Sequence, residues 1–182
     1  MKKNLLIAIA IGLISAVYTS AQETSFEQND NVVSIGVGIG GTYYGYFGYK
    51  DFHRLPTFAL GYERCIIGEL FNDKSALGVG GLAGVTYANH SSWTSTDVMV
   101  GLRGAMHYSF IPQLDTYAGA MLGFNVHSWK WKGAENPVHN GSNGLAWGVF
   151  AGARYYFAGP VAVYAEVGYG FTLLNAGLSF KF

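Results

Sequence analysis

Residues 145–157 read Leu-Ala-Trp-Gly-Val-Phe-Ala-Gly-Ala-Arg-Tyr-Tyr-Phe, and this stretch decides the fold. Every second position, from the leucine to the last phenylalanine, is apolar. Gly148, Gly152 and Arg154 stand among the positions between them. Because side chains alternate across a strand, the stretch predicts a β-strand with one large apolar face and one face of small or charged residues.

Seven other runs repeat this period of two along the chain. The eight runs are 33–40, 58–63, 77–87, 97–108, 117–126, 145–157, 163–170 and 174–182. Their length, roughly ten residues, matches that of a strand crossing a bilayer at a tilt. An even number of such strands is the signature of a barrel in a bacterial outer membrane. The pattern therefore predicts an all-β, eight-stranded antiparallel transmembrane β-barrel.

The chemistry of the two faces indicates which one meets lipid. The face of glycine, alanine and serine is a poor solvent coat but a good filling for a narrow eight-stranded barrel. The large apolar face carries aromatic residues near both ends of the strands, as the interfacial girdles of membrane barrels do. A secreted barrel with an apolar cavity is the alternative, but glycines would leave that cavity unlined. We expect Val100 to point to lipid and Gly101 to point into the lumen.

Composition narrows the functional classes. The chain of 182 residues is 50% hydrophobic and only 12% charged, with a formal net charge of zero. A typical soluble globular chain carries about twice that share of charged residues, so the composition argues against the surface of an ordinary soluble enzyme. Zero net charge argues against nucleic acid as a partner. The single cysteine excludes a disulfide scaffold and a cysteine-based zinc site, the histidines are too dispersed for a metal site, and no cofactor is expected.

The amino terminus has the pattern of a targeting signal. Met1-Lys2-Lys3 is followed by an apolar run over 5–17 and by the small residues Thr19-Ser20-Ala21. This pattern predicts a cleaved secretory signal peptide over 1–21. We expect a short periplasmic lead over 22–31, then the barrel over 32–182. Residues after the cleavage site contain no apolar run long enough for a spanning helix.

Three segments resemble a known group of proteins. They are Ala-Gly-Leu-Ser-Phe-Lys-Phe at 176–182, Gly-Val-Phe-Ala-Gly-Ala-Arg-Tyr-Tyr-Phe at 148–157, and Tyr-Ala-Glu-Val-Gly-Tyr-Gly at 164–170. The chain resembles the small eight-stranded outer-membrane barrels of Gram-negative bacteria, of the OmpX, OmpA-membrane-domain and opacity-like type. The resemblance implies a location in the outer membrane, with outer-membrane lipid around the barrel and both termini in the periplasm. It also implies that the terminal Phe182 is read by the barrel assembly machinery.

Five charged residues fall on the predicted inner face. They are Glu63, Asp97, Arg103, Arg154 and Glu166. Charges in a narrow lumen must pair, because an unpaired buried charge is costly. We therefore predict luminal ion pairs that plug the barrel, with a gated ion path as the alternative. If the register is symmetric about Pro160, Arg154 and Glu166 lie directly opposite each other and form a salt bridge.

A second candidate site is the aromatic loop after the first strand. Its rings are Tyr43, Tyr44, Tyr46, Phe47, Tyr49 and Phe52. Tyrosine-rich loops on a rigid scaffold favour recognition of an extracellular protein or surface ligand. The alternative is that these residues only extend the first hairpin.

The expected role is a non-enzymatic membrane barrel, either structural or binding through its surface loops. One alternative is an outer-leaflet lipid hydrolase that uses a histidine, a serine and an acid near the outer rim. His90 and His127 are the candidate bases, with Asp97 or Glu135 to orient them. None of these spacings is specific for a triad. The other alternative is a narrow channel for small solutes.

Overall fold

The structure is a computed structural model that describes residues 26–41, 53–89, 91–131 and 139–182. The predicted signal peptide and most of the predicted lead lie outside these residues. The main strands are β1 (Asn31–Ile39), β2 (Thr57–Ile67), β3 (Ser75–Asn89), β4 (Trp93–Ile111), β5 (Leu114–Trp131), β6 (His139–Ala158), β7 (Val161–Tyr169) and β8 (Leu174–Lys181). A two-residue strand, His53–Arg54, pairs with the last two residues of β3.

The strands form one closed antiparallel barrel. Each strand pairs with its neighbours in the chain, and β1 pairs with β8 over eight register positions from Val32↔Lys181 to Ile39↔Leu174. The predicted all-β, eight-stranded antiparallel barrel is therefore confirmed. Among the described residues there is no helix of sufficient length and apolarity to cross a membrane.

The two ends of the barrel differ. At one end lie the connections 68–74, 112–113 and 159–160, together with both ends of the described chain. There Asn31 and Phe182 exchange backbone hydrogen bonds of 3.0 and 2.9 Å. We call this the turn end. The opposite rim, which carries the connections after β1, β3, β5 and β7, is the loop end.

The large face of every strand points outward, as the alternation predicts. Val100 is 52% exposed and Leu102 is 75% exposed, while the intervening Gly101 faces the lumen. Similar exposure of Ile35, Leu122 and many other large apolar residues forms an apolar belt around the barrel. Exposed apolar area of this extent on a water-soluble protein would aggregate, so the belt requires an apolar medium or partner.

The strands are unequal in length. β4, β5 and β6 have 19, 18 and 20 residues, whereas β1, β7 and β8 have 9, 9 and 8. The long strands continue beyond the belt at the loop end, where the outward residues change from Val98 and Val126 to Thr96 and Ser128. We call this continuation, residues 88–89, 93–97, 127–131 and 139–144, the extended sheet.

One predicted pairing is wrong. Arg154 lies opposite Tyr164, and Glu166 lies opposite Gly152, so these two charges do not face each other. The hairpin turns on the pair 159–160 rather than on Pro160 alone, and the register shifts again between Tyr156 and Ala158. The two effects together displace the register by two residues.

Candidate functional site

A ring of four ionisable side chains closes the lumen near the turn end. Arg154 donates to Glu63 Oε2 through Nη2 and to Asp115 Oδ2 through Nη1, the latter at 3.1 Å. His107 completes the ring, with Nδ1 2.9 Å from Asp115 Oδ1 and Nε2 3.1 Å from Glu63 Oε1. A histidine that donates to two carboxylates is an imidazolium. Two cations then balance two anions inside the barrel.

This ring draws on four strands and is buried throughout. Glu63 comes from β2, His107 from β4, Asp115 from β5 and Arg154 from β6. None of the four is more than 3% exposed. Such a network is stable only when each charge keeps its partners, because a buried charge without one is strongly destabilising.

A second ion pair lies in the lumen on the loop-end side of the ring. Arg103 Nη2 is 2.8 Å from Glu166 Oε2, and the Tyr117 hydroxyl donates to the same oxygen at 3.3 Å. The guanidinium carbon of Arg103 lies 3.8 Å from the centroid of the Phe150 ring, in a cation–π contact. Tyr117 also lies under Arg154, whose guanidinium carbon is 4.6 Å from its centroid. Tyr117 thus stands between the ring and the second pair.

The space left between these groups is small. A cavity of about 10 Å³ is bounded by Glu63, Arg103, Arg154, Glu166 and Tyr117, among others. A cavity of that size holds about one water molecule. The described lumen is therefore a packed interior at this level and leaves no room for a solute.

Phe26 covers the ring at the turn end. Its side chain is 5% exposed, its ring centroid lies 4.1 Å from that of His107, and it packs with Val32, Cys65 and Ala76. The segment that carries it is held by backbone bonds, among them Asn29 N to Cys65 O at 3.1 Å. The aromatic ring separates the ion pairs from solvent and so strengthens them.

Phe26→Ala is expected to lower the free energy of unfolding by about 2–3 kcal/mol, less than the 3–5 kcal/mol of a central core phenylalanine. The cost is smaller because the segment lies at the edge of the structure and relaxes when its anchor is removed. Urea unfolding in lipid vesicles measures it. Gln28→Ala, in the same segment, is the control, and equal stability of the two variants would show that Phe26 is not an anchor.

At the loop end the inner face carries a third charged contact. Asp97 is buried and its Oδ1 bonds His127 Nδ1, while the His127 side chain is 33% exposed. The hydroxyl groups of Thr57 and Thr86 form a hydrogen bond close to this pair. Phe171 is buried in the luminal core. Both Asp97 and His127 face inward, away from the surface that a membrane lipid would contact.

Comparison with solved structures finds barrels of similar shape. The barrel superposes on Ail, the attachment invasion locus protein of Yersinia pestis, with a TM-score of 0.52 and 14% identity, covering 85% of this chain and 99% of that one. OprG of Pseudomonas aeruginosa gives 0.50 and 11% identity, over 88% and 99% of the two chains. The chain has the fold of the small outer-membrane barrels. No protein-family model matches it, and no curated protein matches it in sequence.

The predicted residues of this small barrel are placed as follows. Glu63, Arg103, Arg154 and Glu166 meet in the lumen, but as Glu63–Arg154 and Arg103–Glu166. Asp97 is separate from them and contacts His127. The six aromatic loop residues, together with His90 and Glu135, lie outside the described residues. Ser128 points outward, opposite to its neighbour His127, while Ser142 is the register partner of His127 on β6.

Three members of the luminal site were not predicted. His107 falls on the inner face of the run 97–108, for which the sequence predicts no partner. Asp115 lies between the predicted runs 97–108 and 117–126, although β5 already begins at Leu114. Phe26 lies outside every alternating run. Only His107 and Asp115 carried a usable signal, since both are ionisable residues near an inner-face position.

Proposed function

We propose that the protein is a non-enzymatic integral protein of a Gram-negative outer membrane that binds an extracellular protein through its loop end. In this arrangement the turn end and both termini face the periplasm, and outer-membrane lipid surrounds the apolar belt. The segment formed by β8 and the following Phe182 is the one that the barrel assembly machinery would read. The aromatic loop residues, which lie outside the described residues, stay a second candidate for contacts with that protein.

The unequal strand lengths carry this proposal. The extended sheet projects past the belt, and residues 139–146 of β6 have no partner strand on the β7 side within the described chain. A free strand edge offers backbone donors and acceptors to an extended segment of another protein. Strands as short as β1, β7 and β8 suffice for a barrel with only a structural role. The additional length of β4, β5 and β6 therefore favours a role for the extended sheet outside the membrane.

Tryptophans on the inner face of the extended sheet support the same interpretation. Trp93 and Trp131 are register partners, and Trp129 contacts Trp131 with ring centroids 5.9 Å apart. Trp131 is 44% exposed. Tryptophan contributes large, rigid contact area and is enriched at the energetic centres of protein interfaces.

The channel and hydrolase alternatives fit less well. The luminal ring, the Arg103–Glu166 pair and the covering Phe26 fill the barrel, and a narrow cavity of about 10 Å³ does not conduct. The Asp97–His127 pair has the acid and base of a hydrolase, but it faces the lumen rather than the lipid. The channel alternative makes no use of the extended sheet, and the hydrolase alternative makes no use of its free edge or of its tryptophans.

A sulfated glycan is a further ligand class to weigh, since one of the Ail structures is in complex with the heparin analogue sucrose octasulfate. Recognition of a polyanion of that kind requires clustered cations. Among the described side chains of the extended sheet, Lys130 is the cationic one and stands without a second lysine or arginine. We therefore do not extend that ligand to this protein.

Location and binding are tested separately. Membrane fractionation with gels of boiled and unboiled sample tests the barrel in the outer membrane; a soluble periplasmic protein without heat-dependent mobility would contradict it.

Binding is tested with cells displaying Gly144→Lys, whose added Cβ meets nothing within 4 Å and whose charge blocks the free edge. We expect this variant to lose adhesion to an immobilised panel of extracellular proteins, while Ser128→Lys, in the middle of the extended sheet, keeps it. Equal adhesion of both would contradict edge binding.

A further inference from the structure

Arg64 is out of place on the apolar belt. It is exposed and points outward from β2, between Tyr62 and Ile66, which are themselves 43% and 42% exposed. Among the strand side chains that the structure describes, Arg64 and Lys130 of the extended sheet are the charged ones that face outward. Its Nη2 donates a long hydrogen bond to Asn29 Oδ1, at 3.4 Å. A cation placed among apolar residues near the rim of a membrane protein reaches for the interface.

A groove of about 690 Å³ on the same outer surface is lined by Tyr62, which is two residues from Arg64 on the outward face of β2. Its floor is formed where small residues replace the outward side chains of β3, at Gly81 and Ala83. The backbone of Gly101 on β4 and of Gly123 on β5 completes the lining. The flanking side chains are apolar: Val33, Leu60, Val100, Leu102, Leu122 and Phe124.

The register gives this groove a direction. Its lining follows the row Val33↔Tyr62↔Gly81↔Leu102↔Leu122 across β1 to β5. Val33 is the third residue of β1, counted from the turn end, whereas Leu122 is the ninth residue of β5. The groove therefore starts near the turn end and rises toward the middle of the belt. Across five strands it spans about 19 Å, at roughly 4.8 Å per strand spacing.

We propose that Arg64 and this groove together bind one phospholipid of the leaflet at the turn end. The phosphate lies on the Arg64 guanidinium, which pairs well with phosphate oxygens. One acyl chain follows the groove upward from the rim toward the bilayer centre. The inference rests on the proposed location of the barrel in a membrane and adds a specific lipid site to it.

The lining favours a lipid over a second protein. Association of membrane proteins uses small residues for close approach together with polar side chains that hydrogen-bond across the interface. In the groove lining the polar atom of a side chain is the Tyr62 hydroxyl, and it already donates to Asn31 Oδ1 at 2.7 Å. A cation at the rim followed by an apolar groove instead matches a phospholipid, whose charged head lies at the interface and whose acyl chain lies inside the bilayer.

Native mass spectrometry of the detergent-solubilised full chain, titrated with phosphatidylglycerol, tests this site. We expect one phospholipid to bind more tightly than the rest, and Arg64→Gln to weaken it about tenfold or more, the effect of losing a charge-assisted hydrogen bond. Gly81→Leu with Ala83→Leu fills the groove and should weaken the same lipid to a similar degree. A Cβ on Gly81 has its nearest atom at 3.5 Å, which is an ordinary contact, so this variant is compatible with the fold.

Matched controls keep the result interpretable. Lys130→Gln removes a cation far from the groove, and Ala151→Leu enlarges a small outward residue on another part of the belt; neither should change the affinity. Equal affinity of all variants, or a cross-linked dimer that the filled groove abolishes, would overturn the lipid site while leaving the membrane barrel intact. Heat-dependent mobility of each variant is recorded in parallel, and its absence in the wild type would count against the proposed location instead.

Discussion

Arg154→Ala is expected to destabilise the folded barrel by about 3–5 kcal/mol, the cost of removing one partner from a buried ion pair. Arg154 is the cation shared by Glu63 and Asp115, and both carboxylates are buried. Without it, His107 is left to balance two anions inside the barrel. Urea unfolding in lipid vesicles, followed by tryptophan fluorescence and by gel mobility, measures the loss.

Double-mutant cycles show whether the ring is the reason. Glu63→Ala combined with Arg154→Ala should cost less than the sum of the single changes, with a coupling of about 0.5–3 kcal/mol. Asp97→Ala, at the loop end, should add to Arg154→Ala within about 0.5 kcal/mol. Coupling of Arg154 to Glu166 should be weaker than its coupling to Glu63. Arg154 binds Glu63 directly, whereas it is linked to Glu166 through the intervening side chain of Tyr117. The reverse order would contradict the register described here.

Leu102→Arg should cost about 2–4 kcal/mol, the penalty of a cation near the middle of a membrane barrel's lipid face. Leu102 lies close to the centre of the outward apolar run from Val98 to Phe110 on β4. Since it is 75% exposed, the substitution removes little packing, and the cost reports the medium rather than a cavity. Folding yield and urea stability in vesicles measure it.

Thr96→Arg is the matched control on the same strand and the same face. Thr96 lies above the belt in the extended sheet, where an arginine meets water, so its cost should be below about 0.5 kcal/mol. Equal tolerance of arginine at both positions would show that the belt is not covered by hydrocarbon. That outcome would overturn the proposed membrane location and leave the barrel fold untouched.

The fold could be predicted because its signal is local. Alternation at Trp147, Val149 and Gly148 depends only on the pleat of one strand, so sequence alone assigns each side chain to a face. The same reasoning places Glu63 and Arg154 on the inner face of the barrel. The ends of the long strands were missed, because β4 to β6 turn polar beyond the belt and lose the contrast between faces.

The partners across the lumen could not be predicted in the same way. A contact such as Arg154 to Glu63 depends on how far each strand is staggered against the next, summed around half the barrel. A single irregularity, such as the one between Tyr156 and Ala158, displaces every pair beyond it. Arg64 escapes prediction for a different reason: the predicted run ends at Glu63, one residue before it, whereas β2 continues to Ile67.

The distribution of the luminal ion pairs around the wall has a consequence for how the barrel opens. They link β2, β4, β5, β6 and β7, and none of them joins β1 to β8. Across that junction run the backbone ladder, the Ser34–Ser179 hydrogen bond and the Asp30–Lys181 pair near the rim. Separating β1 from β8 therefore strands no luminal charge, whereas parting β5 from β6 breaks Arg154 from Asp115. The junction of β1 and β8 is therefore the seam of the barrel. A curled sheet whose luminal ion pairs have already formed can close there last and open there first.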